Sequence, residues 1–277
     1  MRIYAWLVYF FLYMPIAVIV AFSFNSGRYA ADFQGFSFAW YGRALANPFV
    51  TKALVNSLIV ASVTAVLSVI LGTTAALALE RLRGKLRAVF DSLIYVAIMV
   101  PGVVIGIATL VALASVFDAV NSLMASLWPA AWGSAPRAGL GYGSIIAAHT
   151  LYTLSLVILV VRSRLVGMDH SLVEASADLY STPFNTFRTI TLPQLLPAIA
   201  AGFLLSFTFS FDDFIIAFFV AGPNTTLPIF VFSSIRRGVT PEINAIGTMI
   251  LGVSLILLFT VQVLLRDKRQ GNAAEAA

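Results

Sequence analysis

Apolar residues run through this chain in long unbroken stretches separated by short polar segments. The pattern lacks both the strict alternation of half-buried strands and the one-sided stripe of soluble helices. A helix needs about 20 mostly apolar residues to cross a bilayer. Six stretches approach or exceed that length: residues 4–24, 53–79, 90–117, 144–161, 198–221 and 245–265. They predict an all-α, polytopic membrane protein with six transmembrane helices in one membrane domain covering residues 1–277. The second and third stretches are longer than a bilayer requires, so tilt is expected. The first is longer than the 7–15 residues of a signal-peptide core and is expected to be retained as a span. Pro15, Pro101 and the Gly102/Gly106 spacing are points where spans one and three can loosen, although Gly and Pro are commoner in membrane helices generally, which suffices for Pro15.

Composition agrees: 60% of residues are hydrophobic and 10% charged, against about 25% charged in soluble domains. With no cysteine, disulfides, thiolate catalysis and zinc–thiolate sites are excluded. A net charge of +5 implies no nucleic acid, because membrane proteins concentrate Lys and Arg on cytoplasmic loops. An even number of spans puts both termini on one side. That side carries Arg2, Arg81, Arg83, Lys85, Arg87, Arg162, Arg164, Arg188, Arg266, Lys268 and Arg269. The other carries Arg28, Arg43, Lys52, Arg137, Arg236 and Arg237. The bias predicts cytoplasmic termini and outer loops at 25–52, 118–143 and 222–244, where Trp40, Tyr41, Trp128 and Trp132 suit interfacial anchoring.

One polar segment, 162–197, is patterned rather than loose. Within it, Glu174 to Pro193 reads EASADLYSTPFNTFRTITLP. Ser171 and Glu174 have capping-box spacing, which predicts a helix from there to about Leu179. Thr182 as N-cap and Pro183 at the first position predict a second helix, with Phe184, Phe187 and Ile190 on one face. Pro193 and Pro197 are expected to separate that helix from the fifth span. An amphipathic helix lying in headgroups would usually carry a basic polar face. Here Asp169, Glu174 and Asp178 face only Arg188 nearby, which better suits docking into a groove on another protein.

Glu174-Ala175-Ser176, three residues, Tyr180, nine residues, then Ile190-Thr191-Leu192-Pro193 resembles the EAA loop of ABC-importer permease subunits, which reads EAA, three residues, G, nine residues, I-x-L-P. Ser176 stands for the third-position Ala and Tyr180 for the Gly, which permits φ > 0 most cheaply. The resemblance implies that this is a coupling helix seated in a cleft of an ATPase subunit, with Glu174, Ala175, Ser176, Asp178, Tyr180, Phe184, Phe187, Ile190, Leu192 and Pro193 as the contact. It also implies the partners: a second permease, two ATPase subunits, a periplasmic substrate-binding protein and the lipid of a bacterial inner membrane.

Ionisable groups within spans are functional candidates by default. Asp212 and Asp213 lie in LSFTFSFDDFIIAFFVAGP, in the outer half of span five. Read as regular helix, the two point about 100° apart, Asp213 alongside Gly202, Ser206 and Ala217. They are either a polar lock between helices or a carboxylate that attracts a cation. No Lys or Arg lies deep in a span, so an anion finds no counter-charge. Phe209, among the phenylalanines crowding this span, can offer a ring face to an ammonium group. Ser210–Asp213, Val220–Pro223, Leu227-Pro228 and Gly238–Ala245 resemble spermidine/putrescine-importer permeases, which implies a polyamine cargo. Related permeases for iron(III), sulfate or phosphonates share the EAA loop.

No G-x-x-x-x-G-K-[ST], G-x-S-x-G or H-E-x-x-H motif is present. ATP chemistry is therefore expected on another chain, with no catalytic residue, metal or cofactor here. His149 reads as a packed interhelical group and His170 as a solvated loop residue. The competing classes are an ion-coupled secondary transporter, which should show an internal repeat, and an intramembrane enzyme, which should show paired groups at one depth.

Overall fold

The computed structural model describes residues 2–29, 32–129, 132–169 and 171–256. His170, the end of the sixth apolar stretch and its basic residues Arg266, Lys268 and Arg269 lie outside the described residues. Helices follow the apolar stretches: α1 Arg2–Ser23, α2 Ala39–Ala46, α3 Pro48–Arg81, α4 Gly84–Met99, α5 Gly102–Leu127 and α6 Tyr142–Val166. Then come α7 Ser171–Asp178, α8 Pro183–Thr186, a π turn Phe187–Thr191, α9 Leu192–Asp212, α10 Ile215–Val220, α11 Leu227–Ile235 and α12 Pro241–Ile256. Among the described residues, five helices are long and apolar enough to cross a membrane: α1, α3, α5, α6 and the continuous run Pro183–Asp212, with α12 a shorter apolar helix.

Three expectations are corrected. The stretch 90–117 is two helices rather than one, because Val100 adopts an extended conformation (ψ 128°) before Pro101, as steric clash with the proline ring demands. α5 restarts on the Pro101 carbonyl, which accepts the N–H groups of Val104 and Ile105. Second, Pro193 and Pro197 do not separate the elbow from span five. The π turn bonds the Leu192 N–H to the Phe187 carbonyl, a widening just before Pro193 that lets the helix run on past its missing donor. Helix α8, the π turn and α9 thus form one rod of 30 residues, about 45 Å long. Third, span five is not regular through the acidic pair: α9 stops at Asp212, Asp213 is extended (ψ 121°) and α10 begins at Ile215.

The chain divides into two compact units, Met1–Lys52 with Phe230–Ala277, and Ala53–Ile229. In the first, Asn25 is fully buried and organises the loop after α1. Its amide donates to the carbonyls of Tyr29 and Asp32, and its Oδ1 accepts from the N–H groups of Gly27 and Gln34. Phe24, Phe36, Phe38 and Tyr41 form one aromatic cluster beside it, and Arg43 lies over the Trp40 ring at 4.6 Å. Asn47 donates to Glu242 at 2.8 Å.

In the second unit α6 is the central helix. One core joins its C-terminal half to α3, α4 and α9 through Ala76, Leu79, Ile94, Val157, Val161, Leu165 and Leu195. Another joins its N-terminal half to α3 and α10 through Val60, Ile145, Ala148, Ile216, Ala217 and Val220. Along α6 a buried polar layer, including His149 and Thr153, falls between the two cores. Close approach is set by glycine: a Cβ on Gly72 would come within 2.7 Å of Val157 Cγ1, and one on Gly106 within 2.8 Å of the Phe219 ring. Gly106 is thus a packing site for α10.

Candidate functional site

The elbow is a helical hairpin, as the spacing predicts. Thr182 accepts the Asn185 N–H and Pro183 opens α8, so the N-cap reading holds. At α7 the expected Ser171–Glu174 box gives way to Asp169, whose carboxylate accepts the Ser171 N–H at 2.9 Å. α7 closes with paired bonds from the N–H of Ser181 to the Ser176 carbonyl and from the N–H of Tyr180 to the Ala177 carbonyl, the Schellman pattern. Its left-handed position is Tyr180, at φ 57°, and among the described residues no other non-glycine residue has positive φ. Tyrosine therefore occupies the conformation for which glycine is cheapest.

The hairpin sorts the expected contact residues. Glu174, Ala175, Asp178, Tyr180, Phe184 and Pro193 are exposed, while Phe187, Ile190 and Leu192 are half-buried. Ser176 is buried and its hydroxyl pairs with that of Thr186 at 2.8 Å, so it is an internal tie rather than a contact. Leu179, 81% exposed beside Tyr180 at 96% and Phe184 at 74%, adds to the apolar tip and was not foreseen, because it reads as the end of the α7 pattern.

Above the elbow the rod is fastened to its neighbours. Arg164 donates to the Gln194 carbonyl, and Arg162 pairs with Asp91, which also lies 3.9 Å from Arg87.

The rod ends at the acidic pair, and the helix break separates the two carboxylates. Asp212 is exposed on the last turn of α9. Asp213 turns inward: its Oδ2 accepts the Ala217 N–H at 3.0 Å and lies 3.3 Å from His149 Nε2. For Asp213 the polar-lock alternative describes the geometry, while Asp212 stays exposed. Phe209 is 43% exposed and packs edge-on against Tyr152. The segment after α10 is held by Ser144, which donates to the Val220 carbonyl, by Asn56, which donates to the Thr225 carbonyl, and by Ser57, which accepts the Leu227 N–H. Among the described residues no cluster of three His, Cys, Asp or Glu side chains could hold a metal.

Long apolar helices, a structured polar hairpin and a broken span define an all-α, polytopic membrane protein. The chain belongs to the family of binding-protein-dependent transport system inner membrane components, which residues 65–268 match. It is 34% identical over 269 residues to the spermidine/putrescine transport system permease protein PotC of Escherichia coli K12, covering 97% of this chain and 94% of that one. It is 40% identical over 252 residues to the putrescine transport system permease protein PotI of the same strain, covering 90% and 84%. In fold it resembles a bacterial ABC transporter involved in importing the acidic polysaccharide alginate, with a TM-score of 0.67, 17% identity and 94% and 93% of the two chains covered. It also resembles the MetNI methionine ABC transporter, with a TM-score of 0.56, 15% identity and 78% and 94% covered.

Proposed function

We propose that this chain is the membrane-spanning permease subunit of an ATP-driven importer that carries polyamines into the cytoplasm, with ATP hydrolysed by a separate subunit. The observation that carries the reading is similarity over nine-tenths or more of the chain to permeases named for spermidine and putrescine. The site is consistent in charge. Asp212 offers an exposed carboxylate where a span breaks, and a broken membrane helix lining a pathway is a recurrent way to place polar groups at depth.

In this reading the elbow is the seat of the ATPase subunit. Its acidic residues Glu174 and Asp178 and the apolar tip Leu179, Tyr180 and Phe184 are exposed together, as docking into a partner's groove requires. The continuous rod from Pro183 to Asp212 then conveys displacement of the elbow to the level of the acidic pair. A second permease, two ATPase subunits and a periplasmic binding protein complete the assembly. Six spans with cytoplasmic termini fit the loop charges, with the apolar stretch 245–265 as the sixth.

The test is uptake of labelled spermidine and putrescine by vesicles holding the complete transporter. ATP-dependent accumulation is expected, with none when the ATPase subunit is left out. Accumulation driven by an ion gradient without that subunit overturns the importer reading. ATP-dependent uptake of a different solute, with no polyamine carried, overturns the cargo.

A further inference from the structure

The geometry points to His149 as a positioning residue that staples both sides of the α9–α10 break to α6 and so sets where the acidic pair stands. His149 is 2% exposed. Its ring spans the break: Nδ1 is 2.7 Å from Ser210 Oγ, in the last turn of α9, and Nε2 is 3.3 Å from Oδ2 of Asp213, the extended residue of the break. Nδ1 shares a hydrogen bond with the Ser210 hydroxyl, while Nε2 faces the Asp213 carboxylate as an electrostatic neighbour, without hydrogen-bond geometry. One imidazole thereby reaches a hydroxyl before the break and a carboxylate within it.

The staple is anchored behind and ahead. The His149 carbonyl accepts the Thr153 hydroxyl at 2.8 Å, and that hydroxyl pairs with Ser68 of α3 at 2.7 Å. Ahead, Asp213 Oδ2 also accepts the Ala217 N–H, three residues into α10. The same carboxylate oxygen therefore starts α10 and meets His149. A free end of α9 would let Asp212, the next residue back, change depth and direction. With the staple in place its position follows from α6. The functional meaning of that placement rests on the proposed transport role, but the staple itself does not.

The test separates the two ring nitrogens by isosteres. The side-chain amide of His149→Asn reaches where Nδ1 stands and can keep Ser210. That of His149→Gln reaches where Nε2 stands and can keep Asp213. Both are compared in the complete transporter, alone and combined with Asp213→Asn. His149→Asn is expected to lower maximal polyamine uptake roughly tenfold and His149→Gln only about twofold, with Asp213→Asn adding little to His149→Asn because the two changes remove one interaction. Equal losses in Asn and Gln, or full additivity with Asp213→Asn, overturn the inference.

If the unmodified transporter carries no polyamine, the cargo reading fails and the same comparison is made on thermal midpoints. A non-additive His149/Asp213 pair with Gln nearer the parent sustains the staple, and additive midpoints overturn it. If neither His149 variant assembles, Ser210→Ala is read against Asp213→Asn. The smaller loss is expected from Ser210→Ala, which leaves the Nε2 contact in place, and equal losses overturn the inference.

Discussion

Ser176 Oγ and Thr186 Oγ1 lie 2.8 Å apart, both residues buried between the two arms of the elbow. Removing one hydroxyl strands the other away from water, at a cost of about 1–3 kcal/mol, whereas replacing both with apolar groups of similar shape is nearly neutral. Ser176→Ala and Thr186→Val are each expected to lower the thermal midpoint of the purified transporter, and the double variant to recover most of the loss. A double variant whose loss equals the sum of the two shows that the hydroxyls do not act as a pair.

Tyr180 holds φ 57° at the close of α7. A non-glycine residue in the left-handed region costs roughly 1–2 kcal/mol, so Tyr180→Gly is expected to stabilise the hairpin by about 1 kcal/mol. Tyr180 is 96% exposed and contributes almost nothing to the fold of this chain by burial. If it contributes to the seat of the ATPase subunit, the same substitution strengthens the elbow while weakening co-purification of that subunit. Thermal midpoint and co-purification are measured on one sample, and a lower midpoint contradicts the strain argument.

Glu174 is exposed in the first turn of α7, where its charge also favours the helix N-terminus. Glu174→Lys reverses that charge on the face assigned to the ATPase subunit. Insertion of the chain into the membrane is expected to be unchanged and co-purifying ATPase to fall severalfold, more at low salt than at high, since exposed charges are screened. Undiminished co-purification removes Glu174 from the interface.

The long apolar helices α1, α3 and α6 and the hairpin were legible because they rest on signals that survive without tertiary context. These are apolar length for the membrane helices, and Thr182 with Pro183 as a helix start for the elbow. The broken span was not, since hydropathy reports composition and Asp213's extended backbone is fixed by contacts with α6 and α10. Asp212 and Asp213 side by side in an apolar run were the one available clue. Two carboxylates on a regular helix would both need partners, and the chain answers by leaving the helix between them. The π turn before Pro193 was hidden for a similar reason: proline marks a lost donor, but whether the chain breaks or widens depends on what packs there.

Asp212 and Asp213 are expected to separate by experiment. Asp213→Ala removes the acceptor of the Ala217 N–H and the neighbour of His149, so it should destabilise the transporter, the lost cap alone accounting for about 0.5–2 kcal/mol. Asp212→Asn touches no such contact and should leave the midpoint within about 0.5 kcal/mol, as surface changes usually do, while lowering polyamine uptake. Thermal denaturation and vesicle uptake measured together check both. Unaltered uptake in Asp212→Asn means the exposed carboxylate is not on the path.

Val157 of α6 sits against two glycines, Gly72 of α3 and Gly202 of α9, where an added Cβ would meet Val157 Cγ1 at 2.7 Å and 3.3 Å. The two distances predict different outcomes. At 2.7 Å a helix must shift, and overpacking of this kind costs about 1–3 kcal/mol, so Gly72→Ala should clearly lower the thermal midpoint. At 3.3 Å a few tenths of an ångström suffice, so Gly202→Ala should be milder. Val157→Ala removes the atoms that Gly72→Ala would strike, and residues in contact are not additive, so the double variant should be more stable than the sum of its parts. Because the rod from the elbow to Asp212 packs against α6 through this same valine, Gly72→Ala should also reduce transport at temperatures where the transporter is still folded. Normal transport there, together with additive midpoints, would mean that α3 and α6 have slack at this contact.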